Sequence, residues 1–237
     1  MQAITAMRRR KGFVMTGSIL KLQSIDLNLK SDAGLVHILK NVSLDLPAGR
    51  TVSITGPSGS GKTTLLMIAS GLERPTSGTV EVAGKMLNGL SEDDLAVFRR
   101  DHVGIIFQNF HLIPTMNALE NVAIPLEFSG AKDAFARAEA ALDAVGLKPR
   151  AKHYPGQLSG GEQQRVAIAR AFAAAPRLIL ADEPTGNLDA ETGERVMKIM
   201  FDMTRRQGTT LVLVTHDAEL ASQCDITVKI RDGQILQ

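Results

Sequence analysis

Apolar and polar positions follow three different rhythms along this chain. Residues 19–23, 42–46 and 78–84 are short alternating runs, the pattern of half-buried strands, and they predict an antiparallel sheet. Residues 103–108, 178–182 and 210–215 are almost continuously apolar, as expected of strands covered on both faces. Helical stretches lie at 91–101, before the first of them, and alternate with them at about 163–175 and 190–207. The first of these opens on Ser91, with acids in its first turn. Strand–helix alternation around buried strands predicts a parallel α/β core. Residues 116–128 and 131–145 read as two helices with no strand between them, which is a helical insertion. Near the end, Asp232-Gly233 stands between two apolar runs, a hairpin signal. The chain shows no internal repeat and no low-complexity segment.

One stretch organises the rest. The β-rich run 52–55 enters Gly56, Pro57, Ser58, Gly59, Ser60, Gly61, Lys62, Thr63 and Thr64, and a helical run leaves it. Two glycines, a lysine and a hydroxyl residue stand in phosphate-loop register. Glycine lets the backbone wrap an anion with successive N–H groups turned inward, and the helix start adds its partial positive charge. Lys62 is placed to reach β- and γ-phosphates, and the Thr63 hydroxyl to ligate Mg²⁺. The plain alternative is a Gly/Ser-rich turn that only joins strand to helix.

Composition narrows the class. At 237 residues and 44% hydrophobic, the chain suffices for one large domain or a domain with a subdomain. A net charge of +2 argues against a dedicated nucleic-acid surface. The single cysteine, Cys224, excludes an internal disulfide, fits a reducing cytosol, and reads as a small packed residue. No apolar run approaches the length of a membrane span. Arg8, Arg9, Arg10 and Lys11 precede an apolar stretch too short and broken for a signal peptide, so residues 1–17 are expected to form a solvated basic tail.

Two further sites follow the phosphate loop. Asp182 and Glu183 close the apolar run 178–181, at the strand end where parallel folds bind ligands. Asp182 is placed to hold Mg²⁺ facing Thr63, and Glu183 to take a proton from, or orient, an attacking water. Alternatively, both acids merely cap the loop that follows. Residues 158–165 then open a helix. Ser159, Gly160 and the first-turn N–H groups offer a second anion site there, and Ser159 with Glu162 also fits a capping box.

With these residues in this order, residues 19–236 resemble an ATP-binding cassette (ABC) ATPase. Leu158 to Glu162 matches that family's signature. The resemblance implies a P-loop, RecA-like α/β core with an antiparallel β subdomain, spanning residues 18–237, and an inserted helical subdomain at about 109–165. It implies ATP and Mg²⁺ as cofactors. It assigns the loop from Gly56 to Thr64 to the nucleotide, Asp182 to the metal and Glu183 to the catalytic base. Gln108 would contact metal and water and sense the transporter, Asn187-Leu188-Asp189 would cross a dimer interface, and His216 would contact the γ-phosphate. One departure stands out: the family usually stacks an aromatic on adenine near Leu29, and residues 24–37 contain no aromatic. Similar affinities for ATP and GTP are therefore expected.

Residues 107–122 and 157–171 resemble the LolD/MacB/YbbA-type branch, whose members power extraction of lipoproteins or hydrophobic compounds from the inner membrane, or macrolide export. In the family, each ATP lies between one copy's phosphate loop and the other copy's signature, so Ser159, Gly160, Gly161 and Asp189 would act in trans in a dimer with a second copy. A separate integral-membrane permease is expected to dock around Gln108 and residues 109–128, which places the chain at the cytoplasmic face of the inner membrane. Two rival classes are a nucleic-acid-associated ABC ATPase and a catalytically silent regulator. The first lacks a coiled coil, zinc cysteines or a basic groove; the second is opposed by the intact Lys62, Asp182, Glu183 and His216.

Overall fold

The computed structural model describes residues 17–31 and 34–236; the expected basic tail lies outside them except for Gly17. The chain begins with two long strands, β1 (Ser18–Ser31) and β2 (Gly34–Pro47), followed by β3 (Thr51–Thr55) and α1 (Lys62–Ser70). Next come β4 (Ser77–Val82), β5 (Lys85–Met86), α2 (Glu92–His102) and β6 (Val103–Ile106). Three helices follow without an intervening strand: α3 (Ala118–Phe128), α4 (Ala134–Ala144) and α5 (Gly160–Ala173). The chain closes with β7 (Leu178–Asp182), α6 (Ala190–Gln207), β8 (Thr210–Val214), α7 (Ala218–Ser222), β9 (Ile226–Arg231) and β10 (Gln234–Leu236).

Two sheets result. The smaller is antiparallel, in the order β2-β1-β4-β5. The larger has the order β10-β9-β3-β8-β7-β6, parallel throughout except for β10 at its edge. The α/β core with an antiparallel subdomain and a helical insertion is thus the architecture expected from the residue pattern.

The continuous apolar strands are explained by where their faces point. In β7, Leu178 and Leu180 join the core shared with the antiparallel sheet, α1 and α2. Ile179 and Ala181, alternating with them, join the core under α3, α4, α5 and α6. In β8, Val212 and Val214 face the first core and Leu211 and Leu213 the second. Both faces are covered, so no position in either strand up to residue 181 or 214 is polar except at the strand ends.

Among the boundaries that differ from the reading of the residues alone, those of β1, β2 and α5 have a clear physical cause. β1 and β2 each run 14 residues rather than two short runs. Their register shifts near Ser24, whose φ is +50°, break the simple alternation. The outer part of this hairpin then carries exposed Leu29, Leu35 and Val36, so burial does not mark it. α5 begins at Gly160 rather than Gln163, because Ser159 caps it and draws the two glycines into the first turn.

Candidate functional site

Strands β3, β8, β7 and β6 are neighbours in the parallel sheet. Each hands its chain to a chemistry-bearing loop at the same edge: residues 56–61, 215–217, 183–189 and 107–117. One sheet therefore brings together Lys62, His216, Glu183 and Gln108, which lie far apart in sequence.

The phosphate loop is a built cradle. Gly56 has φ +156°, and a Cβ there would sit 2.0 Å from the Ile230 carbonyl oxygen. Gly61, the residue before α1, has φ +97°, and its Cβ would sit 2.8 Å from the Leu39 side chain. Only glycine lets the backbone come this close. Pro57, Ser58 and Gly59 are exposed at the loop's tip, whereas Ser60 and Lys62 are buried. Lys62 Nζ donates to the carbonyls of Gly56 (3.0 Å) and Pro57 (2.8 Å), so the ammonium is held inside the curl of the loop. Ser60 Oγ is buried with no hydrogen-bond partner.

Asp182 Oδ1, at the end of β7, is likewise buried without a partner. Burial pushes its carboxyl above the ordinary range; the Thr63 hydroxyl opposes this, Glu183 adds to it, and Lys62 opposes it. A half-buried carboxylate short of partners, beside an exposed threonine hydroxyl, is a hard-oxygen donor set. It suits Mg²⁺, which takes one or two carboxylates and completes its shell with water and phosphate. Among the described residues there is no cluster of three or more His, Cys, Asp or Glu residues that could hold a metal.

Glu183 adopts φ +44°. That left-handed conformation costs a non-glycine residue about 1–3 kcal/mol and persists only where the surroundings enforce it. Here the Glu183 N–H donates to the Val214 carbonyl (3.0 Å), and the Gly186 N–H returns to the Glu183 carbonyl (3.0 Å). The twist sends the carboxylate to within 3.3 Å of His216 Nδ1, from the loop after β8. The His216 ring is 71% exposed, the Glu183 side chain 26%. Both line an open groove of about 660 Å³ together with Thr185, Asp189, Glu191 and Asp217.

Gln108 follows β6 and is braced by Asn187, which the family resemblance assigns only to a dimer-interface loop. Gln108 Nε2 donates to Asn187 Oδ1 (3.2 Å), and Asn187 Nδ2 donates to the Gln108 carbonyl (3.1 Å) and to Asn109 Oδ1 (2.9 Å). A Cβ on Gly186 would stand 2.7 Å from Gln108 Nε2, so the two loops meet tightly. Two further residues were not legible. Asn121, fully buried in an apolar helix, accepts from the Ile113 N–H (2.8 Å) and donates to the Ile113 carbonyl (3.1 Å). Arg170 donates to the carbonyls of His111 (2.7 Å) and Phe110 (3.0 Å). A polar residue on an apolar helix face was the available signal for both.

Ser159, Gly160 and Gly161 lie elsewhere. Ser159 Oγ accepts from the Glu162 N–H (3.3 Å), and Glu162 Oε2 accepts from the Ser159 N–H (2.9 Å), a complete capping box. Above all the Ser159 N–H holds the Glu162 carboxyl below its ordinary range. Among the described residues no hydrogen bond or ion pair joins this helix start to residues 56–64. Asp189 Oδ1 caps α6 by accepting from the Thr192 N–H (3.0 Å).

Comparison with known proteins shows the family. A match to the family described as "ABC transporter" spans residues 39–186. The ABC transporter ATP-binding protein YbbA of Escherichia coli K12 is 48% identical over 202 residues, 84% of this chain and 89% of that protein. The lipoprotein-releasing system ATP-binding protein LolD 1 of Rhodospirillum rubrum is 43% identical over 224 residues, covering 94% of this chain and 99% of that protein. The macrolide export protein MacB 1 of Escherichia coli O1:K1 / APEC is 45% identical over 221 residues, which are 92% of this chain but 34% of that protein. Among solved structures, the cassette MJ0796, described as dimeric and in one case as bound to ADP and Pi, superposes with TM-score 0.85 at 42% identity, covering 92% of this chain and 97% of that one.

Proposed function

Because the chain belongs to the ABC transporter family, as an ATP-binding subunit of the LolD, MacB and YbbA type, we propose that it works as one of two ATP-hydrolysing cassettes driving a separate membrane permease. The carrying observation is the single sheet edge that gathers the phosphate loop, the orphaned Asp182 carboxylate, and the Glu183–His216 pair. The substrate is ATP and the reaction is its hydrolysis to ADP and phosphate.

In this reading the backbone N–H groups of residues 56–64 wrap the β- and γ-phosphates, and Lys62 exchanges its two loop carbonyls for phosphate oxygens. Thr63, Asp182 and Gln108 would hold Mg²⁺, which would neutralise phosphate charge when bound. Glu183 takes a proton from the attacking water as its oxygen bonds to the γ-phosphorus and the bond to the bridging oxygen breaks. His216 stands 3.3 Å from that carboxylate and meets the γ-phosphate.

Ser159, Gly160, Gly161 and Asp189 act in trans, closing the ATP held by a second copy. The dimeric form described for MJ0796 supports this, as does the absence of any bond from Ser159 to the chain's own phosphate loop. No helix among the described residues is long and apolar enough to cross a membrane; the names of YbbA and LolD as ATP-binding proteins support a permease on a separate chain. Exposed Ile113, Phe128 and Phe135 support docking on residues 109–128 and the adjoining α4. The site is then the cytoplasmic face of the inner membrane, and the names LolD and MacB favour extraction of lipoproteins or hydrophobic, macrolide-like compounds.

Steady-state phosphate release from the purified chain with ATP and Mg²⁺ tests the activity. Turnover that disappears in Glu183→Gln supports it. Background release in the unaltered chain marks a binding module instead.

A further inference from the structure

We infer that Arg170 is a positioning residue for hydrolysis, acting through the loop that carries Gln108. This rests on the reading of Gln108 given above. Arg170 lies in the last turn of α5 and is only half-exposed. Among the described residues no carboxylate pairs with it. Its charge is met by main chain alone: Nη1 donates to the His111 carbonyl at 2.7 Å and Nη2 to the Phe110 carbonyl at 3.0 Å. A planar fork on two successive carbonyls fixes the plane of each through rigid, coplanar donors, whereas an ammonium, as Lys62 does on Gly56 and Pro57, meets two carbonyls through donors that rotate.

The planes it fixes start two residues beyond Gln108. The backbone there is turned sharply, with His111 at φ +47°. The His111 ring packs edge-on against Phe107, centroids 4.8 Å apart at 89°. Gln108 therefore sits inside a short turn closed on one side by this ring pair and the arginine fork. Asn187 grips it on the other side, from the loop that follows Glu183. Asn121 fixes the far end of the loop at Ile113. Arg170 is the charged member of these three clasps, and it ties the loop to the helix that Ser159 opens.

A side chain with Arg170's reach but no donors leaves two loop carbonyls unpartnered and frees the turn, while the phosphate loop keeps every contact. Misplacing a reacting group by about 1 Å can cost a hundredfold in rate. In steady-state ATPase assays, Arg170→Met is thus expected to lower kcat about tenfold or more, with KM for ATP changed less than about twofold. Arg170→Lys, which keeps the charge and loses the fork, falls between.

A double-mutant cycle separates positioning from general damage. If Arg170 acts through Gln108, Arg170→Met with Gln108→Ala turns over no more slowly than Gln108→Ala alone. Additive losses overturn the inference, as does wild-type kcat in Arg170→Met. Should Arg170→Met show no cooperative thermal melt, Arg170→Lys decides: reduced kcat at unchanged KM, non-additive with Gln108→Ala, upholds the role, and wild-type kcat ends it. Wild-type turnover in Gln108→Ala alone would instead remove the role given to Gln108, a separate failure.

Discussion

His216 Nδ1 lies 3.3 Å from Glu183 Oε2, although the two residues leave different strands. β7 and β8 are adjacent and in register, with Asp182 opposite Val214, so the residues that follow them emerge side by side. The left-handed turn at Glu183 does the rest. His216→Ala removes this partner and, on the proposed function, a γ-phosphate contact. A fall in kcat of about 10²-fold or more is expected, with a smaller change in KM for ATP, read by phosphate release. Turnover within twofold of the unaltered chain contradicts the role.

Asp182→Asn separates stability from function. The carboxylate is half-buried with one oxygen unpartnered and its pKa raised chiefly by burial. Removing the charge relieves that strain in the nucleotide-free protein while removing the metal ligand of the proposed function. A melting temperature higher by about 2–4 °C per kcal/mol gained is expected in calorimetry, together with loss of Mg²⁺-dependent hydrolysis. A variant that melts lower contradicts the first expectation.

At the base end, Leu29 on β1 pairs with Val36 on β2, and they are 42% and 43% exposed. An aliphatic pair in place of an aromatic face forgoes stacking worth about 0.5–1.5 kcal/mol. ATP and GTP should therefore bind with similar affinity in a competition titration, and Leu29→Tyr should tighten ATP binding by up to about tenfold. A strong ATP preference in the unaltered chain refutes this.

Cys224 is half-buried, and burial pushes its thiol up to about 11. At pH 8 its thiolate fraction is then roughly a hundredfold below that of an ordinary cysteine. Alkylation of the folded chain by iodoacetamide should be correspondingly slow and should accelerate in denaturant. Equal rates in both states contradict the packed assignment.

The parallel core was legible because both faces of β7 and β8 are buried, which leaves an apolar run that survives any change of register. The phosphate loop and the α5 cap were legible because local chemistry dictates them: Gly61 needs its positive φ, and Ser159 needs a donor three residues on. What stayed hidden is contact between distant segments. Nothing in the sequence says that Asn187, Asn121 and Arg170 meet one loop; only tertiary folding brings them there. The outer half of the β1–β2 hairpin was missed for the opposite reason: its apolar residues face solvent, and a bulge breaks the period.

A nucleotide site completed by a second copy is tested directly by size-exclusion chromatography with light scattering. Glu183→Gln keeps the phosphate loop, Asp182 and the Ser159 helix start but lacks the group that takes the water proton. With ATP and Mg²⁺ it should elute at twice the 25.4 kDa chain mass, and without nucleotide as a monomer. A monomer under both conditions contradicts the shared site.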